Sequence, residues 1–249
     1  MSARNEAELR PDLLTASWLG RVDYDDAWSA QQALYLARLD DERGDSLMLL
    51  EHPPTYTLGR RALEADLVYG EGQRAARGIS LFNVDRGGRA TYHGPGQLVG
   101  YPIMSLGEGA AGAGRASYDV LAYLRKLEEV LIRVARDLGV EATRDPENTG
   151  VWVGRNKIGA IGVKITRGIT MHGFAFNVAT DLTMFEGIVP CGIADRWVTS
   201  VLAETGRSHS VKEVANLAAN HLAEIFDRTL VWTHPKSLLV SSAAATSST

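Results

Sequence analysis

A two-layer α/β sandwich around a mixed, mainly antiparallel sheet is the fold class this sequence predicts. Three features point to it. Short apolar runs such as Ser46–Leu50 read as buried strands. A long leucine stripe after residue 117 reads as a helix. Strand and helix signals then alternate irregularly, with hairpin-like pairs among them, and this favours a mixed sheet over a repeating parallel one.

Taken in order, Ala16–Asp23 alternates loosely and reads as the first strand after a frayed start over residues 1–14. A helix is expected over Tyr24–Arg43. Asp25 and Asp26 suit its positive end, Trp28, Gln32, Tyr35 and Leu39 share a face, and Gly44 stops it. Ser46–Leu50 and Thr55–Leu58 are strands, parted by Glu51-His52-Pro53-Pro54. Residues 62–78 are polar and read as a mobile surface loop, and Ile79–Asp85 as a strand.

Asp85–Tyr101 is the densest stretch of the chain, with five of its 25 glycines. Glycine costs backbone entropy, so such a cluster has a cause. It fits tight turns in a β-rich domain, or close approach of a ligand to exposed main-chain N–H groups. Gly87-Gly88 and Gly94-Pro95-Gly96 mark two sharp turns, with Thr91, Tyr92 and His93 of strand character between them. The product is a hairpin-like wall beside a slot.

Leu98–Met104 is a further strand and Gly107–Ala116 a Gly/Ala-rich loop. Ser117–Leu138 is the clearest helix, with Leu121, Leu124, Leu127, Leu131 and Leu138 in one stripe and Gly139 at its end. Val151–Val153 and Lys157–Thr166 form a strand pair. Strict alternation sends Lys157 and Lys164 to opposite faces unless a bulge intervenes. Met171–Val178 is a strand, and Ser210–Arg228 a helix opened by a Ser210/Glu213 capping box. The Ser/Ala/Thr-rich tail predicts disorder. The division expected is a flexible segment 1–14, a folded domain over 15–230 and a flexible tail 231–249.

The formal net charge is −4 and no basic-aromatic stripe occurs, which speaks against nucleic-acid binding. No apolar run reaches membrane-spanning length and the charged N-terminus is unlike a secretory signal, so a cytoplasmic location is expected. One cysteine, Cys191, leaves neither an internal disulfide nor a cysteine-based metal site. It stands in a Pro190-Cys191-Gly192 setting, a turn that is a poor place to bury a side chain; a small buried hydrophobe is the alternative. Lysine is scarce, and Lys157 and Lys164 share one apolar segment. An amine can give up its proton when desolvated, whereas a guanidinium keeps its own. A Cys191–Lys157 pair would make an acyl-transfer nucleophile and base, with His93 and His172 each a candidate general base or oxyanion donor.

Several motifs occur in a fixed order: Glu51-His52-Pro53 with Tyr56-Thr57-Leu58-Gly59; Arg86-Gly87-Gly88-Arg89-Ala90-Thr91-Tyr92-His93-Gly94-Pro95-Gly96-Gln97; Lys157-Ile158-Gly159-Ala160-Ile161-Gly162-Val163; His172-Gly173-Phe174-Ala175-Phe176-Asn177; and Pro190-Cys191-Gly192-Ile193. Together they resemble the octanoyltransferases of lipoate synthesis, across roughly residues 15–230. The resemblance implies the biotin/lipoate protein ligase fold, in which a smaller second sheet accompanies the main one. It implies transfer of octanoyl from octanoyl-acyl carrier protein to a lysine of lipoyl domains, those of 2-oxoacid dehydrogenases and of the glycine cleavage H protein, with no cofactor and no metal. It assigns Cys191 as the acyl-thioester cysteine and Lys157 as the lysine that lowers its pKa. It places substrate binding at Arg86, Gly87, Gly88, Arg89, Ala90, Thr91, Tyr92 and His93, at Ala160, Ile161 and Gly162, and at Gly173, Phe174 and Ala175. Rival readings are an ATP-dependent lipoate ligase of the same fold, a non-catalytic acyl- or lipoyl-domain-binding protein, and a cysteine hydrolase.

Overall fold

The computed structural model describes residues 12–107, 119–189 and 197–238. The expectations for the frayed N-terminal residues 1–11, for most of the Gly/Ala-rich loop, for Cys191 and for the tail beyond Leu238 lie outside the described residues.

Eleven strands form two sheets among the described residues. They are β1 (Leu13–Arg21), β2 (Asp45–Glu51), β3 (Thr55–Leu58), β4 (Ser80–Asn83), β5 (Ala90–His93), β6 (Gln97–Ile103), β7 (Thr143–Arg144), β8 (Val151–Val153), β9 (Asn156–Thr166), β10 (Ile169–Asn177) and β11 (Thr229–Trp232). The main sheet runs β11-β1-β2-β6-β10-β9-β8-β7, parallel at its β11-β1-β2 end and antiparallel from there on. The small sheet is β4-β3-β5. The helices are α1 (Tyr24–Leu39), α2 (Glu71–Ala76), α3 (Val120–Asp137), α4 (Val201–Thr205) and α5 (Val211–Ile225).

The period-2 pattern of the strands decides which residues meet which helices. Leu47, Leu49, Leu98, Phe174 and Phe176 pack under α3 and α5, while Met48, Leu50, Val99, Tyr101 and Ala175 face α1 on the other side. The face opposite α3 and α5 thus carries α1, and the small sheet meets it there: Tyr24 at the start of α1 lies 5.0 Å from Phe82 of β4, ring to ring.

Several elements differ from the sequence expectation for physical reasons. Helix α1 ends at Leu39, five residues before Gly44, and its buried side is Ala27, Ala30, Gln31 and Leu34. Gln32, expected on that side, is exposed. Small residues let the helix approach the sheet closely, and this outweighs the aromatic stripe. In α3 the leucine stripe begins too early. Leu121 is 61% exposed, and the buried side is carried by Tyr123, Leu127, Val130, Leu131 and Val134. Asp119 caps this helix, its carboxylate accepting from the Ala122 N–H at 2.8 Å. The capping box of α5 forms as expected, with both reciprocal bonds between Ser210 and Glu213. Residues 62–78 hold a 3₁₀ turn at Glu64–Asp66 and helix α2 rather than an unstructured loop. The sheet reaches past both expected domain ends, since β1 begins at Leu13 and Trp232 of β11 pairs with Ala16.

The expected hairpin of the glycine-rich stretch is also different. Strand β5 pairs with β3, not with β6. The Gly94–Gly96 turn therefore passes the chain from the small sheet to the main one. It is closed by Gln97 N–H donating to Gly94 C=O at 3.1 Å, with Gly96 at φ +81°.

A core test follows from α3. Replacing Leu127, fully buried under the sheet, by alanine is expected to destabilise the fold by about 2–5 kcal/mol. Leu121→Ala on the exposed side should stay within about 0.5 kcal/mol. Urea unfolding of both variants measures the difference, and similar losses would contradict this placement of the helix.

Candidate functional site

A cavity of about 440 Å³ opens between the small sheet and the β6-β10-β9 part of the main sheet. Its volume lies within the range of small-molecule sites. Its floor begins with a β-bulge. Val151 pairs with Gly159 but Trp152 pairs with Lys157, so Ile158 is an extra residue on β9. That insertion reverses the alternation and places Lys157 on the face of Ala160 and Gly162, with which it lines the cavity. Lys157 is 7% exposed. Its Nζ donates to the Thr149 carbonyl at 3.2 Å and sits 4.6 Å from the centre of the Trp152 ring. Its own backbone is paired as well: Lys157 N–H donates to Trp197 C=O at 2.8 Å, and Lys157 C=O accepts from Thr199 N–H at 3.0 Å.

The glycine-rich stretch forms the facing wall, and its first use is structural. Gly87 N–H donates to Val163 C=O of β9 at 2.9 Å. A Cβ at Gly162 would lie 3.0 Å from the Gly87 carbonyl oxygen, so a bare backbone there lets the wall dock. This Gly87 N–H is engaged by β9 rather than offered to a ligand. Arg86 is buried beneath the turn, its Nη2 donating to the backbone and side-chain oxygens of Thr57 at 2.8 and 2.7 Å. Arg89 is paired with Asp66, its Nε donating at 2.9 Å. Both arginines are therefore structural members of the wall as well as cavity residues.

Three histidines surround the slot, each with its proton placed by its partners. Asn177 donates to Thr199 C=O at 2.9 Å, and its side-chain oxygen accepts from Gln97 Nε2 at 3.0 Å. Gln97 Nε2 also donates to Tyr92 C=O, which leaves Gln97 Oε1 to accept from His93 Nδ1 at 2.9 Å. His93 is thereby held as the Nδ1–H tautomer, with Nε2 as an acceptor. Burial and the neighbouring His52 and Arg86 push its pKa well below the usual histidine value. His52 donates from Nδ1 to Val22 C=O at 2.7 Å and accepts from the Tyr101 hydroxyl at 2.8 Å, and burial lowers its pKa to about 4. Burial raises Tyr24, stacked near His93, to about 12, with Arg86 opposing.

His172 departs from its strand. Regular alternation would turn it toward α3 and α5 with Phe174, but its φ of +55° redirects the ring, at a cost of about 1–3 kcal/mol. Its Nε2 donates to Asp85 at 2.8 Å, and Asp85 also accepts from Lys164 at 2.6 Å. Burial alone would raise the Asp85 pKa, but the bonds from Lys164 and His172 outweigh it and hold the carboxyl low. Burial outweighs Asp85 at His172 itself and lowers its pKa. Gln31 of α1 steadies the same residue by accepting from its N–H at 2.8 Å.

Of the residues singled out in the sequence, the cavity is lined by Lys157, by Arg86, Gly88, Arg89, Ala90, Thr91 and His93 of the wall, by Ala160, Ile161 and Gly162, and by Gly173, Phe174 and Ala175. Gly87 and Tyr92 do not line it; Tyr92 packs with Tyr56 and Phe185 in the small-sheet core. Cys191 lies outside the described residues. The described residues before and after it are anchored near the cavity, with Val189 N–H bonded to Asp66 C=O at 2.9 Å and Val198 lining the cavity beside Lys157. Gln97, Asn177, Asp85, Tyr24 and Tyr101 carried no assigned role in the sequence. Gln97 and Asn177 belong to quoted motifs, so their position was visible, but only the three-dimensional pairing exposes their joint work.

The histidine tautomers give a pH prediction. His52 stays neutral in the fold down to about pH 4, while in the unfolded chain it protonates near 6.5. Between those values the unfolded chain binds more protons, so stability falls as pH falls, by about 3 kcal/mol in all from this group. Urea unfolding at pH 7 and pH 5 should show the loss, and His52→Gln should flatten the slope.

The lipoyl protein ligase A/B catalytic domain matches residues 23–223. An octanoyltransferase of Chloroflexus aggregans is 47% identical over 217 residues, covering 86% of this chain and 95% of the relative. One from Acidobacterium capsulatum is 43% identical over 239 residues, covering 92% and 97%. Lipoate-protein ligase A, solved with bound ATP, superposes with a TM-score of 0.70 over 91% of this chain and 93% of its own, at 19% identity, and so shares the fold. On the sequence identity and the family match together, the chain belongs to the octanoyltransferases built on the lipoyl protein ligase A/B catalytic domain.

Proposed function

We propose that this octanoyltransferase moves the acyl group through a thioester on Cys191, with Lys157 as the proton carrier. The octanoyl group comes from acyl carrier protein and ends on a lysine of a lipoyl domain, carried by 2-oxoacid dehydrogenases and the glycine cleavage H protein in the cytoplasm. Octanoyl transfer in protein lipoylation is the activity of its family. The observation that carries the mechanism is the position of Lys157: a buried amine, turned by the bulge into the cavity and paired along its backbone to Val198, seven residues after Cys191.

In the first half-reaction Lys157, as the neutral amine, takes the Cys191 thiol proton. The thiolate attacks the donor thioester carbonyl, the bond to the carrier sulfur breaks, and that sulfur receives the proton. The acyl chain lies along Ala160, Ile161, Phe174 and Ala175. In the second half-reaction the acceptor lysine must lose a proton, since a free ammonium has a pKa of about 10.4. Lys157 accepts it, and His93 Nε2, kept neutral, accepts a hydrogen bond from the incoming amine. The amine attacks, an amide forms, and Cys191 leaves as the thiolate. A thioester is higher in energy than the amide formed, so the sum of these steps needs no nucleotide. An ATP-dependent ligase would instead form an acyl adenylate. The 43–47% identity to octanoyltransferases, against 19% to lipoate-protein ligase A, favours transfer.

Intact-mass spectrometry after incubation with octanoyl-acyl carrier protein is expected to show one hydroxylamine-labile octanoyl adduct, absent from Cys191→Ala. An adduct that persists in the variant would refute the thioester. Lys157→Arg keeps the charge but removes the proton carrier, and turnover should fall about 10²–10⁴-fold.

Chain length supplies a second test. Each buried methylene contributes about 0.8 kcal/mol, so a hexanoyl donor should show kcat/KM about tenfold below octanoyl. Equal values for the two donors would mean that the chain is not held in the cavity.

A further inference from the structure

The side chain of Glu128 is fully buried in α3, away from the cavity, and no step above uses it. Its two carboxylate oxygens have different tasks. Oε2 accepts from Arg125 Nη1 at 2.7 Å and lies 3.4 Å from Arg144 Nε. Oε1 accepts the Gly150 N–H at 3.0 Å.

Gly150 sits at φ +129°, a conformation open to glycine alone. It ends the segment Glu147-Asn148-Thr149, which forms one rim of the cavity. The carbonyl of Thr149, the other half of the same peptide unit, accepts from Lys157 Nζ at 3.2 Å. Gly150 also lies against the lysine stem, since a Cβ there would stand 3.2 Å from Lys157 Cε. A helix-borne carboxylate thus pins the peptide that pins the amine.

We propose that Glu128 is a positioning residue for Lys157. It acts through its hydrogen bond to Gly150 and not through its charge. The ion pairs with Arg125 and Arg144 keep the buried carboxylate compensated and aim Oε1 at the turn. The inference rests on the reading of Lys157 as the proton carrier, and its test separates the two.

Two variants divide charge from reach. Glu128→Gln loses the charge but keeps an oxygen at the length needed for Gly150 N–H. Glu128→Asp keeps the charge and the arginine partners but is one methylene too short. Each is assayed for thermal unfolding, for steady-state kinetics with octanoyl-acyl carrier protein, and for labelling of Lys157 by an amine-reactive acetylating reagent relative to the exposed Lys212.

Glu128→Asp is expected to label Lys157 about fivefold faster, because the hold of the Thr149 carbonyl on the amine is loosened. Its kcat should fall about tenfold or more with an unchanged donor KM. Glu128→Gln should stay within about threefold of the parent in both readouts. The reverse order, with Gln impaired and Asp active, would assign Glu128 to an ion-pair role in folding and overturn the proposal. Unchanged Lys157 labelling in Glu128→Asp would overturn it too. If the labelling changes as expected while Lys157→Arg turns over at the parental rate, the positioning stands and the catalytic reading of Lys157 falls.

Discussion

The contact on which the site depends is backbone to backbone. Gly87 N–H meets Val163 C=O, and the bare Gly162 lets the two chains close to that distance. Together with the Lys164–Asp85 bond it fixes the small sheet against β9, so that the two halves face each other across one cavity. A Cβ at Gly162 would press on the Gly87 carbonyl and on the Arg86 stem. Arg86 then fastens the wall from beneath through Thr57 of β3. The glycines here shape the protein before they touch any substrate.

Around this junction the fold departs from regularity at two residues that line the cavity. The bulge at Ile158 turns Lys157 inward. The positive φ of His172 swings its ring from the helix side to Asp85. Each departure is held by its surroundings, the first by the 197–199 segment and the second by Gln31 and Asp85. Strain persists where several independent contacts over-determine the geometry.

The polar lining is organised so that each group has a defined protonation. The Thr199–Asn177–Gln97–His93 chain has one consistent assignment of donors and acceptors, and it leaves His93 with a bare Nε2. His52 and Tyr101 satisfy each other in the same way. Buried histidines kept neutral line the cavity with hydrogen-bonding groups without adding positive charge beside Arg86.

The sequence by itself determined the class of fold, most of the strands and the α5 capping box, and it singled out candidate reactive side chains, because these rest on local periods and on residue chemistry. Lys157–Thr166 was legible as a strand, and Lys157 and Cys191 as candidates for a reactive pair. Tertiary structure decided the rest. Which strand β5 pairs with depends on partners distant in sequence, so the expected hairpin became a passage between two sheets. The buried side of α1 was set by how closely small residues approach the sheet, not by its aromatic stripe. A bulge is a property of two paired strands, so the direction of Lys157 could be posed from one strand alone but resolved only when β8 lay beside β9.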